Sequence, residues 1–395
     1  MGANIICLTS SGGLPLFSRQ KGNMQPLPFA VSGSLNGVHL YGKLRGIEIQ
    51  STQTENVSVL WREYQDSITL IGIGRRNDEH ILSDVLDEIF NAMIFLVGID
   101  EIKNIRNAER LKRDLRTCYP LIDKLMECLD LGDRTIGNAD IIHHVETLIC
   151  LEYQLLQSCL DSYTECIGSL FACLTIENCI VVATDGWWEL VPKERKLIAL
   201  LVATNNDCTA VDIPVFLPYK SPSVPFRLVS ICLLGSVWVT VLCGPKPDLT
   251  SVEHFSFQCW SPAVEILRAV QHIYPKNIPP TLQVHNSILG FLLINIEVGK
   301  FVSSRCSVTN KKDCRSPSEV LRTFYYQTAY LLAKNESQNT PVEAYWCSEF
   351  HKLHALCRGK NLLCVLYIAA IPVHTIRLIT QQTLTLLTEN SQLYW

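Results

Sequence analysis

His143 and His144 stand side by side, with Glu146 and Glu152 close by, and these are residue types that ligate zinc. On a helix, adjacent residues point to different faces, so the two imidazoles do not converge simply on one ion. Trp187 and Trp188 in TDGWWEL offer an aromatic platform; the plainer reading puts one indole in the core and packs the other on a neighbouring element. RNAERLKRDLR is the densest basic stretch, and Arg106, Arg110 and Arg113 share one helical face there. That face is a candidate site for lipid phosphates or an acidic partner. Glu109 with Arg113, and Arg110 with Asp114, are spaced to pair along the same helix, which would leave it a solvated, self-paired surface. TSSGG (Thr9–Gly13) has the composition to cradle a phosphate, but a strand follows at once where that motif needs a helix, so it reads as a hairpin turn.

No chemistry is named elsewhere. There is no GxxxxGK[ST] phosphate loop, no GxSxG elbow and no kinase signature set. The 17 cysteines are scattered, without CxxC pairs or zinc spacing, and read as reduced thiols, most of them small core hydrophobes. No catalytic residue, metal or cofactor is assigned. The net charge of -4 gives no basic field for nucleic acid. The first residues, MGANIICLTSSGG, lack the pattern of a signal peptide, and Ile6 stands where a myristoylation signal wants Ser or Thr. Without a secretory signal, the glycosylation-type sequons at Asn56 and Asn335 carry no weight. The longest apolar run, Leu228 to Cys243, falls short of the roughly 20 residues of a spanning helix and is broken by Gly235 and Ser236, which fits two buried strands.

At roughly 150 residues per domain, 395 residues suggest two or three domains, and 48% hydrophobic residues supply their cores. The first third predicts two strands around Ser11–Gly13, a helix through VSGSLNGVHLYG, and three strands near Ile47–Gln50, Val57–Arg62 and Ile68–Ile73. An amphipathic helix follows on Ile81, Leu82, Val85, Leu86, Ile89, Phe90, Met93 and Val97, then one through AERLKRDLRTCY that Pro120 ends or kinks. The same order recurs. A helix from about Ile141 to Ile167 leads to strands at Phe171–Ile176 and Cys179–Thr184, a helix at Pro192–Thr204, three strands at Asp212–Leu217, Phe226–Leu234 and Val237–Cys243, and a helix within Pro262–Ile273. The third pass has strands at Ile288–Val298 and Phe301–Val308. Its helix is capped by Ser316, with Pro317 and Glu319 completing the start signal and Leu321, Phe324, Thr328 and Leu331 on one face. Three more strands, within Ala344–His351, Leu353–Cys357 and Leu362–Ile371, precede a closing helix on Ile376, Ile379, Thr383 and Leu387. The fold is therefore α+β in three units, 1–130, 141–275 and 282–395, with linkers at Leu129–Asp140 and Ile273–Thr281.

This order resembles the longin domain, a five-stranded antiparallel sheet flanked by helices. VSGSLNGVHLYG, DSITLIGIG, NAMIFLVGIDEIKNIRNAERLKRDLR and VVATDGWWEL look like the fuzzy family of planar cell polarity effectors, and YKSPSVPFRLVS, VLCGPKPDL and HNSILGFLLINIEV extend the match. The resemblance covers most of the chain. It implies three longin domains and no catalytic activity. It also implies pairing with an inturned-like three-longin protein and with a β-propeller subunit, and engagement of a Rab-like small GTPase and of intraflagellar transport proteins. The expected setting is the cytoplasm and cytoskeleton at the ciliary base, in cilium biogenesis and protein transport, with peripheral membrane contact at most. Two modes fit: a subunit of a guanine nucleotide exchange factor, or a scaffold recruited by a GTP-bound GTPase.

Gly33 and Gly37 cost the first helix about 1 kcal/mol each relative to alanine. Glycines four apart lower one side of a helix, so another backbone can approach. Gly33 is expected to pack on the domain's own sheet, and Gly33, Ser34, Asn36, Gly37 and His39 form the candidate partner interface.

Overall fold

The computed structural model describes residues 2–22, 27–76, 79–129, 141–205, 208–305, 316–329, 342–390 and 393–395. The predicted linker over 130–140, the predicted strand end at 306–308, Leu331 and Asn335 lie outside the described residues. The chain divides into two compact units, residues 1–133 with 214–226, and residues 134–213 with 227–395.

In the first unit, β1 (Ala3–Thr9) and β2 (Pro15–Lys21) make the expected hairpin. α1 (Phe29–Leu44), β3 (Ser51–Gln53), β4 (Val57–Tyr64) and β5 (Ile68–Arg75) follow. The sheet is antiparallel in the order β2-β1-β5-β4-β3. The alternation Ile47–Gln50 announces the third strand too early. The chain reverses at Gly46, where φ is +71°, and pairs only from Ser51. Ile49 instead joins Leu35 over Ile6, Leu8, Trp61, Ile71 and Ile73, which puts α1 on that face of the sheet.

α2 (Glu79–Val97) covers the other face and buries the predicted stripe from Ile81 to Met93, with Val97 half-buried. It lies close because Gly72 of β5 has no side chain: a Cβ there would sit 3.1 Å from Leu82 Cδ1. α3 (Ile99–Lys103), α4 (Ala108–Asp114), a 3-10 turn (Leu115–Cys118) and α5 (Tyr119–Met126) complete the layer. Pro120 opens α5, where its missing N–H would have had no partner anyway. Pro214–Phe226 belongs to this unit: Asn91 Nδ2 donates to Tyr219 Oη at 3.1 Å.

In the second unit the helix predicted from Ile141 begins only at Tyr153, as α6 (Tyr153–Ile167). The residues before it hold a turn at 142–143 and a short strand. β6 (Val145–Glu146) leads into β7 (Phe171–Ile176) and β8 (Cys179–Ala183) after α6, and the β7–β8 turn carries Glu177 and Asn178 at φ 50° and 65°. α7 (Asp185–Glu189), α8 (Pro192–Ala203), β9 (Ala210–Leu217), β10 (Ser221–Leu234) and β11 (Val237–Cys243) follow, in a sheet ordered β8-β7-β11-β10-β9. The apolar run Leu228–Cys243 is, as expected, two strands. α9 (Leu249–Trp260) is not foreseen by the sequence; α10 (Val264–Gln271) is.

The last third folds as β12 (Ile288–Asn295), β13 (Lys300–Arg305), α11 (Pro317–Phe324), β14 (Val342–Cys347), β15 (His351–Arg358), β16 (Asn361–Ile368) and α12 (Val373–Thr388). Ser316 caps α11 as predicted, its hydroxyl accepting from Glu319 N at 3.2 Å. The sheet order is β14-β15-β16-β12-β13-β6. Its own five strands are antiparallel, and β6 is a parallel addition from upstream of α6.

The same short segment also bridges to β8, where Thr147 pairs with Ile180. Thr147 N donates to Phe301 O at 2.7 Å and Leu148 N to Ile180 O at 2.9 Å, so residues 145–148 strap the edge of one sheet to the edge of the next. Buried Asn277 locks the strap, donating from Nδ2 to Glu146 Oε1 and to Ser303 O, both at 3.0 Å. The chain is thus three five-stranded antiparallel sheets flanked by helices. Among the described residues no helix is long and apolar enough to cross a membrane.

Candidate interaction surfaces

α1 starts at Phe29 and stops where Gly46 turns left-handed, with Ile47 N returning to Gly42 O at 2.9 Å. Only His39 and Gly42 are buried along it. The glycine that internal packing demands is therefore Gly42: a Cβ there would meet Ile47 O and Ile49 Cδ1, both at 3.0 Å. Gly33 and Gly37 face open space, with nothing within 4 Å of an added Cβ. The expectation that Gly33 packs on its own sheet is corrected. The sheet is already covered by Leu35 and the returning Ile49, and Gly33 points the other way.

On that outer face the glycines continue into apolar side chains. Tyr41 is 62% and Leu44 86% exposed, and Phe29 and Val38 are exposed as well. Residues 33, 37, 41 and 44 recur at helical spacing, so the face is a notch followed by an apolar ridge. Ser34 lies on this side, its hydroxyl returned to Ala30 O at 2.9 Å. Asn36 and His39 are placed inward. Asn36 lies against Gly13 of the β1–β2 turn, where a Cβ would collide with it. His39 sits over β4, its Nε2 3.9 Å from Glu63 Oε2, while Lys43 Nζ pairs with Glu63 at 2.7 Å. Beside α1, β3 is the exposed edge strand of its sheet, and among the described residues no strand pairs with its outer side.

The basic stretch divides at a helix start. Asn107 caps α4, its side chain accepting from Glu109 N and Arg110 N at 3.0 and 3.1 Å, so Arg106 lies outside the helix. Arg106 and Arg110 line one shallow cavity of about 240 Å³ with Asp100 and Glu101. Arg110 and Arg113 line another of about 310 Å³ with Lys112 and Arg116. Arg110 is spent on Asp114 at 3.6 Å, as the spacing predicted, and on Glu101 at 3.7 Å. Arg106, Lys112, Arg113 and Arg116 have no ion pair among the described residues. Arg116 joins the cluster because it stands four residues after Lys112 and three after Arg113, spacings that keep it on their side as the helix passes into a 3-10 turn at Leu115.

The remaining candidates resolve as structure. Both ring nitrogens of His144 are buried, and that burial, then His143, Lys196 and Arg195, push its pKa down to about 3, so it stays neutral. Trp187 fills the core. Trp188 packs under the Arg195 guanidinium, 4.9 Å from its ring centroid. In the last domain His354 Nδ1 contacts Thr380 Oγ1 at 2.9 Å, with Glu343 Oε2 3.6 Å from Nε2. The residue types suit nucleophilic catalysis, but Thr380 is fully buried and its hydroxyl donates to Ile376 O at 3.0 Å. The network ties α12 to β15.

Comparison with known proteins supplies the family. Residues 3–125 match the first longin domain of FUZ, MON1 and HPS1, residues 167–261 the second, and residues 287–391 the third. The Protein fuzzy homolog of Xenopus tropicalis is 41% identical over 300 residues, 75% of this chain and 70% of that one. The chain belongs to the fuzzy family. The human homolog is 38% identical over 332 residues, covering 82% of this chain and 78% of its own, and the rat homolog 37% over 335 residues. This three-longin family accounts for the thrice-repeated order of sheet and helices. The strap at residues 145–148 lies outside all three matched ranges.

Proposed function

We propose that this chain is a planar cell polarity effector of cilium biogenesis that works without covalent chemistry, by presenting surfaces to other proteins. The outer face of α1 is the seam for an inturned-like longin chain, and the pair engages a Rab-like small GTPase at the ciliary base. A β-propeller subunit and intraflagellar transport proteins complete the assembly. One observation carries the reading: Gly33 and Gly37 open onto solvent beside exposed Val38, Tyr41 and Leu44, next to an edge strand with no partner among the described residues. Helix glycines that serve no internal contact keep their cost of about 1 kcal/mol each, and close approach by an external surface supplies a reason for them. Family membership supports the partner class.

Acting on the GTPase would require only that the pair bind its nucleotide-free form better than its loaded form, a population shift. The test is a pull-down with the inturned-like chain. Gly37→Leu fills the notch without touching the fold, and binding is expected to be lost while the unfolding midpoint holds or rises. Unchanged binding by a folded variant overturns the seam. Nucleotide release from the GTPase, with and without the pair, then separates an exchange factor from an adaptor.

A further inference from the structure

Residues 393–395 lie over the border between the second and third sheets, and side chains hold them there. The Tyr394 ring stacks on Tyr153, the first residue of α6, with centroids 4.3 Å apart and planes 11° from parallel. Gln154, next on that helix, donates from Nε2 to the Tyr394 hydroxyl. Trp395 donates from Nε1 to Oδ1 of Asn361, the first residue of β16, at 2.9 Å. The Lys300 ammonium, at the start of β13, lies 4.8 Å from the Trp395 ring centroid and 5.3 Å from that of Trp188 on α7. Lys300 has no ion pair among the described residues, so its charge is met by indole faces. α6 and α7 pack on the second sheet, whereas β13 and β16 belong to the third, and Lys300 pairs in register with Val145 of the strap.

We propose that Tyr153, Gln154, Trp188, Lys300 and Asn361 form a docking notch for an extended partner segment carrying adjacent tyrosine and tryptophan, and that residues 394–395 fill it until such a segment displaces them. The segment seated there defines the chemistry that fits. One position needs a ring to stack on Tyr153 and a hydroxyl to accept from Gln154. The next needs an N–H for Asn361 and a π-face for the ammonium. A phenylalanine pair supplies neither hydrogen bond, and a basic segment meets the Lys300 charge. The occupant is exchangeable because its backbone is not tied to the notch. Among the described residues the backbone of the segment bonds only locally, Leu393 N to Asn390 O at 3.0 Å. Tyr394 is 45% exposed, so a competitor reaches the stack from solvent.

The full-length chain is titrated into a labelled peptide, Ser-Gln-Leu-Tyr-Trp, the sequence of residues 391–395, and fluorescence anisotropy is read. Tyr394→Ala and Trp395→Ala together open the notch, and saturable binding is expected, with a rise in that chain's unfolding midpoint when peptide is added. In the wild-type chain the resident segment competes at about millimolar effective concentration, so binding is expected to be weaker by roughly tenfold or more. Lys300→Met or Asn361→Ala, each added to the open chain, weakens binding, and Ser-Gln-Leu-Ala-Ala binds no chain. Binding by the wild-type chain at high peptide concentration, lost with the alanine peptide, needs no variant to fold. No binding by either chain, equal affinity of the wild-type and open chains, or equal affinity for the two peptides overturns the proposal.

Discussion

The Lys300 ammonium lies 4.8 Å from the centroid of the Trp395 ring. Trp188 presents a second indole at 5.3 Å, so the charge is held between two aromatic faces at the start of β13. Trp395 is itself fixed, donating from Nε1 to Asn361 Oδ1 at 2.9 Å.

This arrangement predicts a pH signature. Burial, then Lys360 and Arg195, push the Lys300 pKa down to about 8 from its ordinary 10.5. Between those values the unfolded chain binds more protons than the folded one, so stability rises with pH across that window. Wild type, compared with Lys300→Met by urea denaturation in pH steps, is expected to gain on the variant from about pH 8 to 10.5 and to show a constant difference below it.

The two kinds of glycine in α1 predict opposite effects. Gly37→Ala adds a methyl to open space and removes a helix-breaking residue, so the chain gains up to about 1 kcal/mol. Gly42→Ala drives its methyl against Ile47 O and is expected to cost about 1–3 kcal/mol. Chemical denaturation of the two variants measures both signs.

The cationic groove at α4 predicts salt-sensitive binding to anionic vesicles. Lys112, Arg113 and Arg116, without ion pairs among the described residues, are each worth about 1 kcal/mol near such a surface, and ion-paired Arg110 less. Flotation with anionic liposomes is therefore expected to fall further for alanine at those three positions than for alanine at Arg110 alone. Equal losses would rule out this ranking.

Besides donating to Ile376 O, the Thr380 hydroxyl serves two side chains, His354 Nδ1 at 2.9 Å and Tyr367 Oη at 2.8 Å. Thr380→Val leaves both buried groups without it and is expected to destabilise by about 1–3 kcal/mol. A Tyr367→Phe background removes one orphan and should shrink the loss, which a double-mutant cycle reads directly.

Much of this architecture was legible because local rules and tertiary packing agree. The α2 stripe, the Ser316 cap, the Glu177–Asn178 turn and the two strands within Leu228–Cys243 all stand where the sequence puts them. Ile141, Val145, Leu148 and Ile149 misled because they recur at helical spacing, yet they are apolar for another reason: their segment is buried between two sheets. α9 went unseen because its buried line is Val252, Ser256 and Trp260, with a serine at its centre and Phe257 left outside. At the candidate site the odd glycines were legible but their direction was not. The backbone return at Gly42 decides which side of α1 faces the sheet, and it depends on a turn that carries no periodic signal.

The strap over residues 145–148 bears on how the molecule can be dissected. A truncation beginning at residue 282 would strip the last sheet of its upstream strand and bare the β13 rim, a row of unsatisfied donors and acceptors that invites self-association. A fragment beginning at 141 keeps that rim sealed. For the β13 rim, the smallest sealed piece is therefore two sheets with their shared border, and a solubility screen of the two fragments would show it.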